Sequence, residues 1–456
     1  MTPPSTSLGT NGLFVAVLAL ASATAFAVAP TATTNAATSV TATTVQLNGA
    51  GNPGSEATTG WFRLSTTSPG ACDDAFGTRV PSTGGTSLGA GAVSAPYSVS
   101  TSGLLPGNTY YFCAITQNAS GTAFGGLLTF TTPALIPSVA TAAATSVTSF
   151  TALFNGSANP NGSAATGFFR YSTSSPGSCN TTFGTRAPAA GGTALGGGNG
   201  SVAYTETVSG LLAGTTYYYC ALSTNGIGTG VGNLLSFTTL VAVPAVTTTA
   251  ASSVTGTTAT LNGSVNPNGA STTGWFRLAS SDPGSCSDVF GTRVPAAGGS
   301  ALGSGSFATP YAQGATGLNP GTTYYYCSIA QNSQGTTLGS VLTFTTPDLP
   351  SVTSNAPTLL TATSATLNAA ATPNGASAIG WFRYSASNPG TCNDSFGTRI
   401  PVTAGTGTSL GAGAVPVNFS QAIAGLTPGT TYFYCGLASN SVGTGFGSLL
   451  SFTTQP

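Results

Sequence analysis

The sequence predicts an all-β protein made of four seven-stranded β-sandwiches in tandem, and three observations predict it. A short phrase returns at a nearly fixed interval: GWFRLS begins at residue 60, GFFRYS at 167, GWFRLA at 274 and GWFRYS at 380, steps of 107, 107 and 106. Repeats of roughly 20–50 residues build solenoids or propellers. A period near 107 instead repeats a unit large enough to bury its own core. Within each unit, short β-rich runs alternate with Asn-Pro, Asn-Gly and Pro-Gly turns, which is the pattern of strands joined tightly. No stretch of the repeats shows the apolar spacing of a helix.

Taken in order, the first 29 residues stand apart. Residues 12–27, GLFVAVLALASATAFA, are apolar and close on Ala25-Phe26-Ala27, so residues 1–29 read as a secretory signal peptide or, alternatively, as a hydrophobic N-terminal anchor. No later segment is apolar for long enough to span a bilayer, and the final SFTTQP carries no anchoring signal. The repeats are expected at 30–133, 134–240, 241–347 and 348–456. In the third, TATLNGSVNPNG (258–269) reads as a strand running into a turn and TTGWFRLA (272–279) as a strand. TTYYYCSIAQNSQG (322–335) reads as a strand ending in a Gly turn, and SVLTFTTP (340–347) as the last strand. The joints PALIPSVAT (133–141), LVAVPAVTT (240–248) and PDLPSVTS (347–354) are short and contain Pro. Such joints are semi-rigid, so a monomeric rod about 15 nm long is expected.

Composition excludes several functions. Charged residues are 4% of the chain, against roughly 25% in ordinary soluble domains. The eight Arg balance eight acids, and Lys and His are absent. Nothing therefore builds the basic stripe that nucleic acid requires. The usual general bases and nucleophile pairs are missing as well, so no catalytic residue, cofactor or metal site is expected. Asp73 and Asp74 resemble a carboxylate pair, but Asn180 and Thr181 stand there in the second unit. They read as polar loop residues, and the substitution weakens a Ca²⁺ site. Asn-x-Ser/Thr triplets at Asn118, Asn155, Asn161, Asn180, Asn199, Asn262, Asn393 and Asn418 read best as turn chemistry.

Two further phrases recur in phase. GLLPGNTYYFC, GLLAGTTYYYC, GLNPGTTYYYC and GLTPGTTYFYC precede LLTFTTP, LLSFTTL, VLTFTTP and LLSFTTQ. This pattern resembles the end of a bacterial fibronectin type III domain, an immunoglobulin-like Greek-key sandwich. The likeness covers nearly everything after residue 30, is specific in the turn before strand F and in strands F and G, and is weaker in strand A. The resemblance implies an extracellular modular protein and no particular activity. It also implies that Tyr110 and Phe112 face inward on strand F while Tyr111 and Cys113 face outward. On strand C, Phe62 and Leu64 then face inward, and Trp61 and Arg63 outward. A polar residue is usual where Cys113 sits, so the chain departs from the family there.

With strand F beside strand C, the resemblance places Cys72 near Cys113. The same holds for Cys179 and Cys220, Cys286 and Cys327, and Cys392 and Cys435, separated by 41, 41, 41 and 43 residues. One disulfide per unit is the expectation. Pairing between neighbouring units is the alternative and would strand Cys72 and Cys435. The segment STTSPGACDDAFGTRVP would then be clamped over Trp61 and Tyr111 with Phe76 as its apolar plug. Arg63 and Arg79 read two ways: bonded to loop carbonyls and stacked on aromatic faces, or part of a sugar or carboxylate platform. That platform would comprise Trp61, Arg63 and Arg79, then Trp275, Arg277 and Arg293, then Trp381, Arg383 and Arg399.

The function expected is that of a secreted or cell-surface structural or adhesive spacer without catalytic activity. A carbohydrate-binding repeat array is the alternative. Cell-surface proteins or glycans are the expected partners, with no nucleic acid and no membrane span in the mature chain.

Overall fold

The computed structural model describes residues 28–456, so the leader expectation, apart from its last two residues, lies outside the described residues. All 36 elements are strands, nine in each of four repeats. In the first repeat they are β1 Thr31–Thr38, β2 Thr44–Asn52, β3 Thr58–Ser65, β4 Thr78–Val80, β5 Thr86–Gly89, β6 Ala95–Ser102, β7 Thr109–Asn118, β8 Gly121–Phe124 and β9 Leu128–Thr131. β1, β2 and β6 form one antiparallel sheet in that order, and β4, β3, β7 and β8 form the other. β5 also pairs with β3, and β9 with β7. The other three repeats repeat this order.

The nine segments are the seven expected strands, two of them interrupted. Between β4 and β5 stands Pro81, which has no N–H to give the ladder. Between β8 and β9 the chain passes Gly125, where an added Cβ would lie 2.5 Å from the Thr34 hydroxyl and 2.7 Å from its backbone N. Only a glycine lets β1 come that close. The Gly125 N–H still donates to Ala114 O at 2.8 Å.

Strand β2 shows why the sheets form a sandwich. Its residues alternate between partly buried and buried along the whole strand, the period of a pleated surface with one face on a core. Val45 and Leu47 meet Phe62, Leu64, Tyr97, Tyr110, Phe112 and Phe130 there. The equivalent clusters in the third and fourth repeats are built around Phe276 and Tyr326 and around Phe382 and Tyr434. The Pro-Gly turn before β7 is pinned by Tyr110, whose hydroxyl accepts the Leu105 N–H at 2.8 Å. Its counterparts Tyr324 and Tyr432 do the same. This is the tyrosine corner of immunoglobulin-like sandwiches.

Contacts partition the chain into two compact units. One runs up to Ala143 and takes in Phe154–Glu206 and Tyr218–Leu235; the other comprises Ala144–Leu153, Thr207–Tyr217 and Ser236–Pro456.

Candidate functional site

Strand β7 breaks the alternation seen in β2: Phe112, Cys113, Ala114 and Ile115 are all fully buried. Phe112 and Ala114 face the core. Cys113 and Ile115 belong to a second apolar cluster with Trp61, Cys72, Phe76 and Leu127. The sheet is therefore covered on both faces, and the outer cover is the chain's own loop between β3 and β5.

The sheet register sets this up. Arg63 on β3 lies opposite Cys113 on β7 and opposite Arg79 on β4, so two arginines and a cysteine stand in one row across three strands. Cys113 is bonded to Cys72 across a Cα–Cα distance of 6.0 Å. Every repeat makes the same bridge, Cys179–Cys220, Cys286–Cys327 and Cys392–Cys435, and no described cysteine is free. Pairing within repeats is thus the arrangement found.

The loop returns to the sheet through a forced turn. Gly77 has φ +54°, and a Cβ there would sit 2.2 Å from Leu64 O. Gly184, Gly291 and Gly397 repeat both the positive φ and the clash. The Gly of each FGTR phrase is required by that geometry. Ahead of it, Asp73 Oδ1 accepts the N–H groups of Ala75 and Phe76 at 2.7 and 2.9 Å, a side-chain turn that drives Phe76 onto the cluster. Asn180 and Asn393 do the same.

Arg79 lies over Trp61 with its guanidinium carbon 4.4 Å from the ring centroid. It donates to the carbonyls of Pro81 and Gly84. Arg186, Arg293 and Arg399 take the same seat over Phe168, Trp275 and Trp381, at 4.1, 4.5 and 4.7 Å. A flat, weakly hydrated guanidinium suits this place, since it can stack on a ring and bond carbonyls at its edge. Both halves of the structural reading of this arginine hold.

Arg63 does something the sequence reading missed. Asp74 Oδ1 accepts the Arg63 Nε proton at 2.9 Å and the Trp61 Nε1 proton at 2.9 Å. Asp288 and Asp394 hold Trp275 with Arg277, and Trp381 with Arg383, in the same way. A residue read as loop polarity is the anchor of the cluster in three repeats. Each pair is part-exposed, with side-chain exposures of 17% for the arginine and 42–45% for the aspartate. The charge attraction alone is therefore worth about 0–1 kcal/mol, and the hydrogen bond to a buried indole carries more.

Trp61, Trp275 and Trp381 are 3–4% exposed, each roofed by an arginine and fastened at its N–H. The platform reading needs open indole faces, and these three are closed. Among the described residues no three His, Cys, Asp or Glu side chains gather to hold a metal, and no helix is long and apolar enough to cross a membrane.

No protein-family model matches the chain, and no curated protein matches it either. Among solved structures the chain is similar to the crystal structure of chicken CNTN1 FN1–FN3 domains, at 15% identity over 70% of this chain and 99% of that one, with a TM-score of 0.30. Its own strand order and bridges define the architecture: four fibronectin type III-like sandwiches, each with a loop clamped by an intradomain disulfide over the outer face of its larger sheet.

Proposed function

We propose that this chain is an exported structural or adhesive spacer, of the kind bacterial fibronectin type III modules build, and that it carries no catalytic centre. The observation that supports this most is the closure of each outer sheet face by the chain's own loop. A face that could have bound a ligand is used to stabilise its own domain. One bridge closing a 41-residue separation is worth about 4 kcal/mol in the chain-entropy model. That is a large share of the roughly 5–15 kcal/mol typical of a domain. Four such bridges point to an oxidising compartment, outside the reducing cytosol. A surface wetted by hydroxyls and amides, with 4% charge, makes few electrostatic commitments to any partner, as befits a spacer.

The carbohydrate-array reading requires indoles open to a sugar ring. Iodide quenching of tryptophan fluorescence on the intact chain separates the two. Quenching near that of a buried indole is expected before reduction, rising several-fold once the bridges are reduced and the loops released. Easy quenching of the oxidised protein, together with saturable binding on a glycan array, would replace the spacer reading with the array.

A further inference from the structure

The second repeat differs from the other three at the contact that anchors their clamped loops. Where Asp74, Asp288 and Asp394 stand, it has Thr181, and where the tryptophans stand it has Phe168. Arg170, the counterpart of Arg63, remains. Its Nη1 donates to Phe183 O and Gly184 O at 2.9 and 3.1 Å, but its Nε is buried and has no hydrogen-bond partner. In the other repeats the same Nε gives its proton to a carboxylate oxygen at 2.9, 3.0 and 2.9 Å. The charges around it are also unbalanced. Arg186 lies directly across the ladder from Arg170, an unfavourable like-charge juxtaposition. The loop from Ser172 to Ala187 contains no acid, and Glu206 lies outside it on Val202–Ser209 of the smaller sheet.

We infer that the second repeat carries a carboxylate-binding notch, in which an external carboxylate takes the Arg170 Nε proton as Asp74 takes that of Arg63. Three sites in the same chain supply the template for this contact. In each of them the aspartate side chain is 42–45% exposed, so the position of the carboxylate is open to solvent. Thr181, at the same position, is exposed as well. A buried donor left unmet is costly, and a charge-assisted bond from guanidinium to carboxylate is among the stronger ways to satisfy it. The inference does not depend on the spacer reading.

The chain has eight arginines, so ¹⁵Nε–¹H spectra of the whole protein contain a small set of signals that Arg→Lys variants assign. Sodium acetate is titrated in against chloride at constant ionic strength. The Arg170 signal is expected to move saturably toward those of Arg63, Arg277 and Arg383, with the other seven still. T181D supplies the carboxylate internally, so it should place the Arg170 signal among those three and abolish the response to acetate. T181A, which shortens the side chain at that position and supplies no carboxylate, should keep the response. A second arm uses acetyl-Gly-Asp-Gly-amide. Half-saturation at a tenfold lower concentration than acetate assigns the notch to an acidic side chain of a protein partner, and an equal or weaker response assigns it to free small acids. The inference is overturned if Arg170 stays unmoved by acetate in both the native chain and T181A. It also falls if all eight signals drift together, or if T181D leaves the Arg170 signal in place.

Discussion

At the scale of single residues, the organising contact is one carboxylate oxygen shared by an indole and a guanidinium. Asp74→Ala leaves two donors without a partner, and a buried donor so stranded costs about 1–3 kcal/mol. The second repeat shows how the indole's share of that requirement is removed, since Phe168 has no N–H to satisfy, while the Arg170 Nε stays without a partner. Trp61→Phe combined with Asp74→Thr should therefore cost less than the two single changes added, with a coupling of about 1 kcal/mol. Hydrogen exchange across residues 70–80 of the full chain reads the local opening free energy of this loop, and strict additivity there would remove the shared oxygen from the account. The contact was legible in the sequence, though not in any one copy. Thirteen residues after each Trp comes an Asp, and thirteen after the lone Phe comes Thr181. Read within one repeat, Asp73 and Asp74 look like a polar loop. Read across four, the indole and the carboxylate come and go together.

At the scale of elements, strands and clamp act as one unit because the loop has no core apart from the sheet it covers. Phe76 and Cys72 are its apolar contributions to the outer cluster, against Trp61, Cys113, Ile115 and Leu127. Replacing Cys72 and Cys113 by Ala should lower the stability of the first repeat by about 4 kcal/mol and bring Trp61 into water. A red-shifted emission and faster exchange confined to residues 66–85 and to β7 are the expected signs. Unchanged emission would mean that the aspartate and arginine contacts hold the loop without the bridge. The strands that carry this loop were readable directly: TTGWFRLA, taken as one strand, is Thr272–Ala279, and its alternation of burial is broken at Trp275, which the outer cluster buries. The outward parity of Trp61 and Cys113 was readable only through the family resemblance. The breaks at Pro81 and Gly125 were not foreseen. The second arises from the approach of β1 to the last strand, a contact between segments about 90 residues apart that local propensity does not encode.

At the scale of the molecule, the chain lacks the His that ordinarily titrates near neutrality and the Lys that ordinarily titrates near pH 10. It has no His and no Lys, and its cysteines are all bridged, so between about pH 6 and 9 no such side chain changes charge. Tyrosine is what responds next. Burial pushes the hydroxyls of Tyr311, Tyr326 and Tyr434 up to about 12, and burial drives Tyr97 and Tyr204 higher still. An unfolded tyrosine titrates near 10. Above that pH the unfolded chain releases protons that the folded chain keeps. The stability held by these hydroxyls is therefore complete below about pH 10 and declines as pH rises toward 12. The unfolding midpoint of the whole protein, followed by circular dichroism, should be flat from pH 6 to 9 and fall steeply beyond 10. Tyr434→Phe should lose the bond to Asn355 O, made at 2.5 Å, and so start lower at pH 8. It should also show a shallower alkaline decline in the fourth repeat, because the titrating group is gone. A midpoint that already falls between pH 7 and 9 would contradict this, since no described side chain is available to cause it.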